Sequence, residues 1–320
     1  MVVDGRLTEL SGLVAEGDAL WAVNDGGRRA EAYRIEPATC EVVDTRTSSV
    51  NPFDVEDLAR GPDGSLWVGD LGDNERSRDT VAVIVLPALG EARLHRLTYP
   101  DGPHDAEALL VDGDGRPIVV TKEIGSPAGI YRTAQSPSGD GPTPLVRVGE
   151  VTLPASDTVG GPLGGLGARV VTGAAAGADG QVVALRSYTD AWLYRVPDGD
   201  LAAALTGTPA RVPLPGEPQG EAIAFRRDGT LVSGSEARGG VEGEIRTVAD
   251  AAQRAPAAES GQTSGAPVPA TSDGAAPPSP AAAPADDAAA AWSPALVGAG
   301  ALAGLLLVAA VAMAARGARR

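Results

Sequence analysis

One cysteine, Cys40, stands in 320 residues. No intrachain disulfide can form and no thiolate metal site exists; a small apolar position, buried or half-buried, is its expected place. Histidine occurs twice, as His95 and His104, and lysine once, as Lys122. His95 lies in a strand-like run with no acidic neighbour. His104 lies beside Asp105 in a Pro-Gly loop, either as a surface turn residue or as a general base. Aromatics are scarce too, with four Trp, five Tyr and two Phe, so platforms for stacking bases are few. Basic residues number 26 against 42 acidic ones, and the net charge of −16 repels nucleic acid. No GxSxG, Walker or HExxH motif is present. The Gly-rich stretch 158–167 follows no strand-to-helix pattern and reads as a connection between repeats.

Proline, alanine, serine and glycine are abundant, but unevenly. From residue 251 to 291 they dominate, with six prolines between Pro267 and Pro284. Such a segment buries too little apolar surface to order itself and is expected to be a disordered linker. Residues 292–315 follow as 24 positions without a charge, longer than the roughly 20 needed to span a bilayer. Asp286 and Asp287 precede this run and Arg316, Arg319 and Arg320 follow it. The positive-inside tendency then puts residues 316–320 in the cytoplasm and residues 1–250 outside, as a single-pass protein of the plasma membrane. Trp292 suits the outer interface; Gly300 and Gly304 form a GxxxG, a weak dimerisation signal in so Ala/Gly-rich a helix. Residues 1–10 are neither basic nor apolar enough for a signal peptide, so an external domain calls for a leader upstream of this chain.

Within residues 1–250 one unit recurs. Its clearest copy is DVEDLARGPDGSLWVGD at 54–70: an acidic lead-in, a short apolar run, an Asp-Gly turn and a second apolar run. This reads as a β-hairpin. Copies start at Ser11, Glu56, Glu107, Thr172 and Glu221, spaced 45, 51, 65 and 49 residues apart. A turn aspartate follows each start by seven residues: Asp18, Asp63, Asp114, Asp179 and Asp228. Third strands are expected at 32–35, 81–86, 130–133, 192–196 and 244–248, and fourth strands at 41–44, 93–98, 145–153 and 210–214. The prediction is an all-β chain, a β-propeller of five blades. A sixth would have to hide in the longest interval, whose excess of about 15 residues is less than a blade needs. The last repeat lacks a fourth strand, which Val2–Leu7 is expected to supply, closing the ring and its open edge.

Inner strands of a propeller line its channel, so Ser11, Glu56, Glu107, Thr172 and Glu221 form a ring of oxygen-bearing side chains. Three carboxylates in one narrow channel cost several kcal/mol unless protons or a cation compensate. An irregular all-oxygen set suits Ca²⁺, and the lack of His and Cys argues against zinc or copper. The alternative is that these side chains hydrogen-bond free backbone groups at the strand entrances.

With its order hydroxyl–Glu–Glu–hydroxyl–Glu, the ring resembles that of the calcium-activated nucleotidases (apyrases) of animals, five-bladed propellers with one channel Ca²⁺. Glu9-Leu10-Ser11-x-Leu13-Val14 and Leu20-Trp21-x-Val23-Asn24-Asp25 are similar to that family's first blade, and Leu66-Trp67-Val68-Gly69-x-Leu71-Gly72 to its second. The resemblance implies that the five ring residues are Ca²⁺ ligands and that Asp25 faces a nucleotide or the attacking water. Asp70, Asp73 and Asn74 depart from the family pattern, and Thr172 keeps a hydroxyl where the family has serine. The chain also looks like bacterial surface propellers of unknown role and, loosely, like phytase-like and gluconolactonase-like propellers, which place a metal at channel carboxylates.

A second tier of polar residues stands where the second strands end: Asn24, Asp25, Asp70, Lys122, Glu123, Arg186, Ser235 and Glu236. Asp25 or Glu123 could orient water there, while Lys122 and Arg186 neutralise developing charge. Turn chemistry alone also enriches such loops in Asp, Asn and Gly. Two functions remain open. One is a metal-stabilised platform for a small-molecule or protein ligand, held at the surface by the C-terminal helix. The other is a calcium-dependent hydrolase of nucleotides or other phosphate esters and anhydrides.

Overall fold

The computed structural model describes residues 4–139 and 141–257. In it the repeats become consecutive antiparallel meanders. The first is β1 (Leu10–Glu16), β2 (Ala19–Asn24), β3 (Glu31–Glu36) and β4 (Glu41–Thr47); the second is β5 (Val55–Arg60), β6 (Leu66–Asp70), β7 (Val81–Leu86) and β8 (Arg93–Thr98). The third is β9 (Ala106–Val111), β10 (Pro117–Thr121), β11 (Ala128–Thr133) and β12 (Thr143–Val151). The fourth is β13 (Val171–Ala176), β14 (Val182–Ser187), β15 (Asp190–Arg195) and β16 (Ala210–Pro213). The last has three strands, β17 (Gln219–Phe225), β18 (Leu231–Glu236) and β19 (Glu244–Val248). The second and third meanders join at their outer edges, where β8 and β12 pair in parallel at Leu97–Thr143 and Thr98–Pro144.

Asp-Gly turns close the inner hairpins because glycine takes the left-handed conformation there, with φ of 80° at Gly64, 73° at Gly115, 68° at Gly180 and 83° at Gly229. In the first copy Gly17, ahead of Asp18, takes that role at φ 60°.

Inner strands meet in cyclic order, β1 against β5, β5 against β9, β9 against β13, β13 against β17 and β17 against β1, so the sheets are arranged as in a propeller. Period-two alternation gives each meander one apolar face for either neighbour. Trp21 and Val23 pack on Leu58, Val68 and Ile84 between the first and second meanders. Val83 and Leu97 pack on Leu109 and Val119, Ile118 and Ile130 on Leu185 and Trp192, and Leu193 and Val212 on Ile223 and Phe225. Leu10, Leu13 and Leu20 then meet Ala222, Val232 and Ile245, joining the last meander to the first.

That junction corrects one expectation. Among the described residues the segment 4–9 adds no fourth strand to the last sheet. Asp4 bonds Arg6 and accepts the Val42 N–H at 3.3 Å, while Arg6 donates to the Val42 carbonyl at 3.1 Å, which ties the segment to β4. The Ala237 N–H donates to the Thr8 carbonyl at 3.2 Å, and Leu7 is buried in the closing apolar cluster. Closure among the described residues therefore combines this backbone bond with side-chain packing. The fold also continues past residue 250: Ala251 and Ala255 are buried against Phe225 and Leu231. No helix among the described residues is long and apolar enough to cross a membrane. The expected span 292–315, the tail 316–320 and most of the linker lie outside the described residues.

Near the axis the backbones come so close that a Cβ on Gly12 would lie 2.7 Å from the Asp57 carbonyl carbon and 2.9 Å from its Cα. Gly12→Ala is expected to lower stability by about 1–3 kcal/mol in a denaturant melt, the usual penalty for overpacking. Gly5→Ala, with no atom within 4 Å of the added methyl, leaves the midpoint unchanged.

Candidate metal centre

Each inner strand carries one β-bulge, and in every case the extra residue is the first residue of the repeat. Leu10 pairs with Asn24 and Gly12 with Val23, leaving Ser11 over; Glu56, Glu107, Thr172 and Glu221 are skipped in the same way. A bulge turns the unpaired residue out of the pleat and bends its strand. All five side chains are buried. The two hydroxyls bond across to neighbouring meanders: Ser11 Oγ donates to the Glu56 carbonyl, and Thr172 Oγ1 donates to the Gly220 carbonyl at 2.9 Å. Lone pairs on both oxygens remain available.

Ring residue Glu56 is joined by two acids from outside the repeat register. Asp25 follows β2 and Asp54 precedes β5; one oxygen from each of Asp25, Asp54 and Glu56 lies within 4.8 Å of the others. Gly72 backs onto this trio so closely that a Cβ there would overlap Glu56 Oε1 and sit 2.5 Å from Asp54 Oδ2. Asp70 fixes the Asp54 loop, accepting the Phe53 and Asp54 N–H groups at 3.1 and 3.0 Å and pairing with Arg78 at 3.0 Å. On the opposite flank Gln219 Nε2 bridges Glu221 Oε1 at 2.9 Å and Glu236 Oε2 at 2.5 Å. Lys122 Nζ bonds Glu107 Oε1 and stands 5.9 Å from the Tyr188 ring centre. The second Glu107 oxygen is buried without a hydrogen-bond partner.

Crowding shows in the acid strengths. Burial, then Asp54 and Glu221, pushes Asp25 up to about 8. Burial, then Glu221, pushes Glu236 up to about 10. Glu56 is raised well above the usual range by burial and Asp25, with Lys122 opposing. Burial also raises Asp54 and Glu221.

The remaining predicted residues fall elsewhere. Glu123 receives a hydrogen bond from Arg76 at 2.6 Å and lies 3.8 Å from His104 Nδ1. His104 Nε2 in turn contacts Asp101 and the Tyr131 hydroxyl, each at 3.1 Å. Arg186 is fully buried and paired with Glu217, which also accepts from Ser233 Oγ at 2.9 Å. Asp73 holds its own loop, accepting the Ser77 and Arg78 N–H groups at 2.9 Å.

Asp57 is the residue that the repeat pattern hides. Counterparts in the other copies are Gly12, Ala108, Gly173 and Ala222, and that contrast is the signal: one carboxyl against four small residues. Completely buried, Asp57 accepts the Leu58 and Leu109 N–H groups at 2.8 Å and the Ala174 N–H at 3.1 Å, tying three meanders together at the axis. Burial pushes its carboxyl up, and the three N–H groups oppose the shift.

No family model and no curated protein matches this chain. Solved structures do align with it. One is a gluconolactonase from Xanthomonas campestris, at 18% identity and TM-score 0.43 over 75% of this chain and 76% of that one. Another is a luciferin-regenerating enzyme, at 12% and 0.40 over 78% and 74%. A third is the hydrazine synthase of Kuenenia stuttgartiensis, at 14% and 0.37 over 77% of this chain but only 63% of that one. Likenesses this distant assign this chain no chemistry.

Protonation of the mouth is linked to folding. Carboxyls held above their ordinary range keep protons that the unfolded chain has released, so the folded state binds more protons and stability falls as pH rises. The window runs from the ordinary carboxylate range, about 4, up through about 8, where Asp25 ionises. With chelator present, the melting temperature is expected to fall between pH 5 and 8, and Asp25→Asn to flatten the slope.

Proposed function

We propose that this chain is a five-bladed propeller whose acidic channel mouth binds a divalent cation, Ca²⁺, and that it serves as a ligand- or partner-binding platform. The observation that carries the reading is the gathering of Asp25, Asp54, Glu56, Glu107, Glu221 and Glu236 around a single lysine, Lys122. The set is all oxygen, which suits a hard cation of flexible coordination. Asp25, Asp54 and Glu56 offer convergent oxygens, and Glu107 Oε2 is a buried acceptor with no partner. Ser11, Thr172 and Glu221 complete the shell in this reading. A bound Ca²⁺ would supply positive charge and a Lewis acid at the mouth. The apolar segment 292–315 followed by arginines supports anchorage in the plasma membrane with the propeller outside, and the net charge of −16 speaks against nucleic acid as the ligand.

Calorimetry on the full chain is expected to give saturable Ca²⁺ binding and a higher melting temperature than in chelator. Glu56→Gln removes both effects. Lys122→Met tightens binding, because the ammonium competes for the same carboxyls. Coincident melts in Ca²⁺ and chelator would sink the metal reading.

A second reading, calcium-dependent hydrolysis of phosphate esters or anhydrides, is favoured by Asp25. Its carboxyl, pushed up to about 8, is matched to proton transfer near neutral pH, and Lys122 stands ready to offset anionic charge. This reading expects Ca²⁺-dependent phosphate release from nucleoside diphosphates that disappears in Glu56→Gln. A panel of phosphorylated compounds that yields no phosphate leaves the platform alone.

A further inference from the structure

The opposite end of the channel differs in every respect from the acidic mouth. There the inner strands run out toward the Asp-Gly turns and enclose a cavity of about 470 Å³. Its floor is Leu13, Leu58, Leu109 and Ala174. Three of those four residues give their N–H groups to Asp57, so the carboxyl that ties the meanders together also separates this cavity from the acids beyond it. The walls stay apart because the strands end on short side chains: Ala15, Ala59, Ala175 and Ala176 line the cavity where longer residues would fill it.

Charge enters only at the rim. Arg60 and Arg227 line it from the second and last meanders, on either side of the first, whose contribution there is Ala15 and Gly17. Two guanidiniums therefore flank a notch of minimal side chains. Arg227 is exposed and makes no ion pair among the described residues. Arg60 has Glu16 at 3.5 Å, with 45% of its side chain exposed. The one carboxylate in the lining, Asp179, has Oδ1 taken by the Gln181 N–H at 3.0 Å. On a chain of net charge −16, two arginines over this hollow, one of them without an ion pair among the described residues, offer an anion a local foothold.

We propose that this cavity is a second binding site, for a small amphipathic carboxylate whose apolar body fills the hollow and whose head lies between Arg60 and Arg227. The volume falls within the roughly 300–1,000 Å³ of small-molecule sites. Leucine, valine and alanine side chains of the lining offer contacts to an apolar body, and a planar guanidinium fork matches a carboxylate in geometry as well as charge. The site shares no residue with the cation centre and does not depend on it.

Titration calorimetry of the full chain with 4-tert-butylbenzoate tests this. Expected is one saturable site, at least tenfold weaker for 4-tert-butylbenzyl alcohol and for the double variant Arg60→Gln/Arg227→Gln. These are exposed rim residues, and circular dichroism checks their fold. Ala176→Phe, which fills the hollow, abolishes binding. Chelator and Glu56→Gln leave it unchanged, so loss of the cation reading does not touch it. The proposal is overturned by absence of saturable binding at millimolar ligand, by equal affinity in the double variant, or by binding that vanishes with chelator and so belongs to the acidic mouth.

Discussion

The carboxyl of Asp57 is the point on which the channel turns. The inner edges of the innermost strands have no further strand to pair with, so N–H groups facing the axis need another acceptor. Asp57 collects those of Leu58, Leu109 and Ala174. Gly12 makes the close approach to it possible from the first meander, and Gly173 lets the fourth approach the last, where a Cβ would overlap the Glu221 carbonyl oxygen. A buried N–H left unpaired costs about 1–3 kcal/mol, so three of them weigh heavily against the 5–15 kcal/mol that hold a typical domain together. A polar interaction thus fixes the geometry within which apolar packing between neighbouring meanders can close the ring.

This constriction gives the channel two unlike ends. On one side the bulged residues turn carboxyls toward each other, and the connections after β2 and before β5 add Asp25 and Asp54. On the other side the strands resume regular pairing and present leucine and alanine. Both ends come from the same strands, and the change of character occurs within two or three residues of each bulge. The neighbouring Asp70, at the end of β6, and Asp73, in the loop after it, spend their oxygens on backbone N–H groups and Arg78, which holds the acidic loops in place.

What the sequence made legible is what repeats. A constant seven residues from ring residue to turn aspartate marked the inner strands; that all five first positions are bulged became visible only in the strand pairing. Third and fourth strands followed from alternation and spacing, with β7, β8 and β19 as expected at both ends. The residues that break the repeat were harder to see. Asp54 lies in a connection with no register of its own, and its place beside Asp25 depends on how two meanders meet. Arg186 looked like a mouth residue by its position at a strand end, yet it is turned into the interior toward Glu217, next to Gly220, where a Cβ would collide with its guanidinium. Asp57 is hidden by a repeat whose other copies carry only glycine or alanine at that place.

Charge compensation at the mouth links these observations. Six buried or half-buried carboxyls neighbour one ammonium at the mouth, and Lys122 bonds one of them, Glu107. Ionising all of them together is too costly at low dielectric. Near neutral pH the mouth therefore keeps protons, as the raised acids indicate. Lys122 offsets part of this charge, bonding Glu107 and opposing the rise at Glu56 and Glu221. Proton content and lysine position are consequently one linked equilibrium, and the charge at this face differs in each of its states.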